Sequence, residues 1–497
     1  MNLISDGTNV LPISIRKEWN WVHIPISKGS IGDFSLDALV AGLSALIHPY
    51  AAVLAVFFIG FRTIRKARYG SLEKCALFLL LCSIIPNNMI AIILSWILVG
   101  IFTLTNIQNW RLQRILPVIL IMVYVVFMQY IFEVYLLNCI LCFMYGIFFF
   151  IGFFTVNGLV FDPNYMHDVE YSLKRIVIIQ IICQGLQFLN CFKGRFEDIV
   201  DNIYGTFGSN HSHDCAVLLC LMIVLIYVSV EKPIWKRVYW ILVLLPPLML
   251  TSALAVIVSF AISFVMFLLM DSIAFRRINF KIMLTTCLLI VAFVFAFEKL
   301  SPSWVIDLVT GLTNAKTYER FHKIESYGNV FWVIPRQSIS FLLFGNGPAN
   351  FSSRAALTAT GEYGDNFKPN SSSFFDKTYA SELTIKYILP TFNKSYIKLG
   401  VNDGTINFPF SSVISYMGEF GLVGIIVFIG ILLSIIRRYL RVKSFLGILF
   451  VGVILGLALS ENYLDNTKVV YFLMFFSAFI AAKMRANTSK MLLKGNV

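Results

Sequence analysis

Charge is what this sequence has least of: Asp, Glu, Lys and Arg together make up 13% of its 497 residues. A water-soluble domain carries about twice that fraction, so a soluble enzyme, a disordered chain and a fibrous protein are all excluded. Also missing is the alternation over about ten-residue segments that a transmembrane β-barrel needs. Apolar residues fall instead in unbroken runs such as 116–132 and 215–230. Hydrophobic residues reach 58% and mean hydropathy is +0.78. The expected fold class is all-α, a polytopic integral membrane protein with about 12–14 spans.

Acidic motifs are equally scarce. No Asp-x-Asp occurs, and no histidine–carboxylate cluster has metal-ligand spacing apart from the neighbourhood of His211 and His213. The nine cysteines lie in or beside apolar runs and none falls between 299 and 408, so no disulfide framework is expected in that polar stretch. Cys139 and Cys142, inside an apolar run without His or acidic partners, read as packing residues. Cys191 and Cys215 flank one outer loop, where they could face each other. The first 34 residues show no basic start followed by an apolar core, so insertion is expected to rely on the first span.

What charge there is has a pattern. Lys and Arg number 40 against 27 Asp and Glu. The excess gathers just after apolar runs: Arg111/Arg114, Lys174/Arg175, Arg437/Arg438/Arg441/Lys443 and Lys483/Arg485. Such clusters hold short loops in the cytoplasm and need no nucleic acid to explain them. Placing each inside gives a polar segment 1–34, a helix bundle 35–298 with an outer loop 192–214, a large outer loop 299–408, three closing spans in 409–482 and a basic tail 483–497. Residues 75–105 are too long for one span and are broken by Pro86-Asn87-Asn88, giving two short helices or one long kinked helix. A cytoplasmic loop is expected around 162–175, and helical character over 317–344, interrupted at Pro335.

The 110-residue outer loop, 299–408, far exceeds an ordinary connection, and its interspersed charges and aromatics suit a folded segment that covers a site at the membrane surface. Arg195, Arg320, Arg336 and Arg354 are its arginines and those of the smaller outer loop. Each alone reads as a solvated charge or lipid contact. Several around one cavity would bind an isoprenoid diphosphate, because a guanidinium fork matches paired phosphate oxygens and stays charged. His211 and His213, in Gly208-Ser209-Asn210-His211-Ser212-His213-Asp214, are candidates for a general base toward a sugar hydroxyl. Glu419 stands where the chain re-enters the membrane; it reads equally as a functional intramembrane carboxylate or as a cap at a helix start. Gly418, Gly421 and Gly424 recur every third residue, a smooth face for close helix approach.

Three stretches in order resemble the bacterial O-antigen polymerase/ligase superfamily of membrane glycosyltransferases. Arg195 followed by Tyr204-Gly205-Thr206-Phe207-Gly208-Ser209-Asn210 is similar to the family's first outer-loop motif. Arg320 ahead of Leu343-Phe344-Gly345-Asn346-Gly347-Pro348-Ala349-Asn350-Phe351 is similar to its second. Gly418-Glu419-Phe420-Gly421-Leu422-Val423-Gly424 is similar to its re-entry helix. Where ligases carry a His-Asn, this chain has Phe408-Pro409-Phe410-Ser411-Ser412, and Ala253 stands where many members have arginine. The resemblance therefore points to the polymerase branch (Wzy-type). It implies a transfer that needs no metal or other cofactor, at the periplasmic face of a bacterial inner membrane. A glycan leaves undecaprenyl diphosphate for a hydroxyl on an incoming lipid-linked repeat unit. Arg195 and Arg320 are the implied diphosphate ligands, with Arg336 and Arg354 as second choices. Membrane lipids, a chain-length regulator and a flippase are the implied partners. An O-antigen ligase, or a lipid-linked-oligosaccharide flippase without enzymatic activity, are the alternatives.

Overall fold

A computed structural model describes residues 69–191, 203–208, 211–229, 234–275, 322–360, 381–388, 390–391 and 410–495, with isolated positions between 54 and 65. Arg195, Arg320 and the N-terminal segment lie outside the described residues. The chain is an all-α polytopic membrane protein, with no strand among the described residues. Six described helices are long and apolar enough to cross a bilayer, and a bent pair makes a seventh.

The first helices show how single residues punctuate apolar runs. Helix α1 (Ser71–Cys82) and α2 (Asn88–Gln108) are separate, as the Pro86-Asn87-Asn88 break predicts. Asn87 caps α2 by accepting from Met89 N at 2.9 Å. Helix α3 (Leu112–Ile131) follows, then α4 (Leu136–Leu141), a π-turn (Cys142–Gly146) and α5 (Phe148–Asn157). The π-turn leaves the α4–α5 span bent by 48°. The expected cytoplasmic loop at 162–175 is instead the first half of a long helix, α6 (Pro163–Cys191). Proline is tolerated at a first helical position, and Asp162 Oδ1 accepts from Tyr165 N at 2.7 Å, so this sequence starts a helix where charge alone suggested a loop.

Helices α7 (Ser212–Val228), α8 (Ile234–Leu250) and α9 (Leu254–Phe275) complete the first part of the bundle. The described part of the large loop forms α10 (His322–Gly328), a π-turn (Asn329–Val333), α11 (Ile334–Gln337), α12 (Ile339–Phe344), α13 (Arg354–Thr360) and α14 (Glu382–Tyr387). The break between α11 and α12 falls at Ser338, not Pro335: the proline sits in the first turn of α11, and Ser338 is extended and caps α12. The chain closes with α15 (Ser412–Leu440), α16 (Leu446–Ser460), a 3-10 turn (Tyr463–Asp465) and α17 (Thr467–Gly495). The expected basic tail is thus mostly a continuation of α17, its Lys483 paired with Glu170 of α6.

Helices α9 and α16 pack closely along small residues. A Cβ at Gly452 would fall 2.3 Å from Ser263 Oγ, and one at Gly456 2.2 Å from Ser259 Oγ. A large apolar core runs through α1–α9 and α15–α17, and a second, smaller one joins the loop helices to the first half of α15. Cys191 and Cys215 are both free thiols, so they do not bridge the outer loop. Cys139 and Cys142 are buried and free, consistent with packing.

Candidate functional site

The three resemblance-bearing stretches meet at one end of the bundle, opposite the Arg437/Arg438 and Lys483/Arg485 clusters. The junction is a break in α15. At Gly421 the backbone turns to φ 61°, ψ −151°, which interrupts the helix and releases carbonyls from their intrahelical partners. Asn346 N donates to Gly418 O at 2.8 Å, Gly347 N to Glu419 O at 3.2 Å, and Tyr124 OH to Phe420 O at 3.3 Å. Three successive carbonyls beside the break thus have external donors, two of them from the glycine-rich segment. The glycines permit this approach: a Cβ at Gly345 would lie 2.4 Å from Glu419 C.

Glu419, two residues before the break, is 1% exposed. Its Oε2 accepts from Ala349 N at 2.8 Å and its Oε1 from Ser353 N at 3.3 Å. Asn138 Nδ2 holds Ala349 O at 2.8 Å from the other side. Helix capping at this position is done by Ser411, which accepts from Ile414 N at 3.2 Å, eight residues earlier. Glu419 is instead the clasp of the 349–353 loop, whose last residue leads directly into Arg354.

Arg354 enters a polar layer built on the 462–468 connection. Its N–H donates to Asp465 Oδ2 at 2.8 Å, and its guanidinium acts electrostatically on Asp465 and Lys468. Burial pushes the Asp465 carboxyl up to about 6, against the opposing pull of Arg354. Asn462 Nδ2 donates to Ser352 O at 2.9 Å, fixing the same loop. Lys468, fully buried, donates to Ile85 O at the α1–α2 break and lies 5.8 Å from the Phe207 ring centre. Thr206 Oγ1 donates to Ile84 O at 2.7 Å and is itself held by Gln180 Nε2 at 2.7 Å, which anchors the first resemblance stretch to the same place.

His211 and His213 flank Asp214, which is wholly buried. His213 Nε2 is 3.0 Å from Asp214 Oδ1 and His211 Nδ1 is 3.4 Å from Asp214 Oδ2. Asn466 Nδ2 donates to Asp214 Oδ1 at 2.7 Å. His211 Nε2 meets Asn88 Nδ2 at 3.3 Å, and the His213 ring packs edge-on to Tyr463, 4.9 Å between centres. Both histidines are about one-fifth exposed, so their rings reach the surface of the layer. Ligand atoms of His211, His213 and Asp214 lie within 4.8 Å of one another, and this trio is the group able to hold a metal ion among the described residues.

The layer thus gathers His211, His213, Arg354 and Glu419. Arg336 is set apart: it is exposed on α11, its guanidinium 4.2 Å from the Trp332 ring centre. Asp214, Asp465, Asn466 and Lys468 received no role from the sequence. The signal for the last three was present, since Asn462-Tyr463-Leu464-Asp465-Asn466-Thr467-Lys468 is a polar interlude between two strongly apolar runs. Beside the Gly421 break lies a shallow apolar recess lined by Ile121, Tyr124, Phe150, Phe420 and Gly424 among others. No protein-family model, curated protein or solved structure matches this chain.

Proposed function

We propose that this protein is a membrane glycosyltransferase of the polysaccharide-polymerase type. It moves a growing glycan from a polyprenyl diphosphate to a sugar hydroxyl on an incoming lipid-linked repeat unit, at the periplasmic face of a bacterial inner membrane. The observation that carries this reading is the meeting of three separated stretches in one polar layer that holds cations and a carboxylate-backed histidine pair. Arg354 and Lys468 favour a diphosphate and offset the charge that grows on it as the sugar leaves. Arg195 and Arg320 are the further diphosphate ligands by resemblance. One of His211 and His213, oriented by Asp214, takes the acceptor hydroxyl's proton.

The test is deletion of the gene and complementation, with surface polysaccharide resolved on a gel. Loss of a polymerase leaves lipid A-core carrying a single repeat unit. Loss of a ligase leaves none attached, with polymer retained on the carrier lipid, and that pattern would replace polymerase by ligase. Normal ladders from an Arg195→Ala, Arg320→Ala, Arg354→Ala combination would reject the site assignment.

A further inference from the structure

The segment from the Asn329–Val333 turn through α12 carries apolar residues on two sides, and among the described residues only one side has a partner. Val330, Ile334 and Phe341 are buried in the second core against Ile414 and Met417 of α15. The opposite side leaves Phe331 39%, Trp332 62%, Ile339 75%, Leu343 43% and Phe344 41% exposed. Arg336, Gln337 and Ser340 share that exposed surface, which makes it amphipathic, and an apolar patch of this size marks a contact with something other than water.

Their position says what covers them. A Cβ at Gly421 would fall 2.5 Å from Leu343 C and from Phe344 N, so the end of α12 touches α15 at its break. From Gly421 to Arg437, at the basic end, the helix rises about 24 Å, against a hydrocarbon thickness of about 30 Å. Leu343 and Phe344 therefore stand near the hydrocarbon boundary farthest from the basic clusters. Just beyond the break, Leu422, Ile426, Ile429 and Leu433 recur on one side of α15 and are exposed as well. Farther along, Trp332 under the Arg336 guanidinium joins an amphipathic ring to a cation, the residue pair suited to headgroup depth.

We infer that the Asn329–Val333 turn, α11 and α12 form an interfacial arch whose outer face lies in the lipid leaflet on the motif side. Ile339, Leu343 and Phe344 reach acyl chains and Arg336 meets lipid phosphates. The arch thereby fixes the second resemblance stretch at the level of the membrane surface. This holds independently of the reaction proposed above, since it concerns bulk phospholipid and not a substrate.

The experiment reconstitutes the full chain in vesicles of phosphatidylethanolamine and phosphatidylglycerol containing a phospholipid with a diazirine in its acyl chain. After illumination and digestion, mass spectrometry locates the adducts. Labelling of 339–344 within about threefold of that on Ile426, Ile429 and Leu433 is the expected result. Adducts on the α15 strip with none on 331–344 would overturn the inference and assign that face to a protein partner. A parallel sample with a headgroup diazirine is expected to label Trp332 and Arg336; labelling there only by a water-soluble diazirine would likewise overturn it.

Discussion

At the residue scale the decisive feature is that Glu419 spends both carboxylate oxygens on backbone N–H groups. Removing the acceptor strands two buried donors, each worth about 1–3 kcal/mol. Glu419→Ala is therefore expected to lower the melting temperature in detergent strongly and Glu419→Gln less, since glutamine keeps one acceptor oxygen. Equal melting of the two variants and the wild type would contradict the clasp. Asp465 makes a second prediction, through pH. Its carboxyl sits at about 6 in the fold against 3.8 when free, so the folded state holds the proton more tightly. Its contribution to stability is fully present below the free value and disappears as pH rises through 6, a range on the order of 3 kcal/mol. Lys323 behaves in the opposite sense: burial lowers its amine to about 8 from 10.5, so its penalty is complete below 8 and is relieved toward 10.5. Melting curves at pH 4–7 are expected to show the wild type losing stability relative to Asp465→Asn as pH rises, and a flat difference would rule the mechanism out.

At the element scale, α15 shows what glycine spacing conveys and what it hides. Gly418, Gly421 and Gly424 suggested one smooth helix face, and the structure gives each a different task. Gly418 faces the Phe351 ring, Gly424 sits against its own helix at Phe420 and Tyr416, and Gly421 breaks the helix. Spacing reports small residues and does not distinguish a groove from a break, because both need the missing Cβ. The break needs donors from elsewhere, and those come from Asn346 and Gly347, far away in sequence. Spans, by contrast, were legible wherever apolar length and a capping residue agreed, as at Asn87, and misjudged where charge lay inside a helix, as in α6. Gly421→Ala places a Cβ at φ 61°, within 2.5 Å of Leu343 C, and is expected to abolish folding or cost several kcal/mol. Gly430→Ala on the same helix meets nothing within 4 Å and is expected to be neutral or up to about 1 kcal/mol stabilising. Detergent-extracted yield and melting temperature distinguish the two, and parity between them would contradict the break.

At the scale of the whole molecule, the polar layer and the basic clusters occupy opposite ends, and function depends on which end faces which compartment. Lys and Arg in short loops stay cytoplasmic, which would put the layer with His211, His213 and Arg354 on the outside, as the proposed reaction requires. Eight of the nine cysteines are described and six of these are buried. Thiols shielded in apolar surroundings are protonated and inert, so a new exposed cysteine gives a readable signal above a low background. Glu382→Cys, exposed on α14 of the outer loop and away from the lipid-facing side of the arch, and Asn109→Cys, beside the basic Arg111/Arg114 turn, sample the two ends. In cells with a permeable outer membrane and an intact inner one, a membrane-impermeant maleimide is expected to label the first and spare the second. After the inner membrane is opened both should react. The reverse order would turn the layer toward the cytosol, where carrier-linked glycans are built sugar by sugar. It would remove the polymerase reading while leaving the convergence of the three stretches intact.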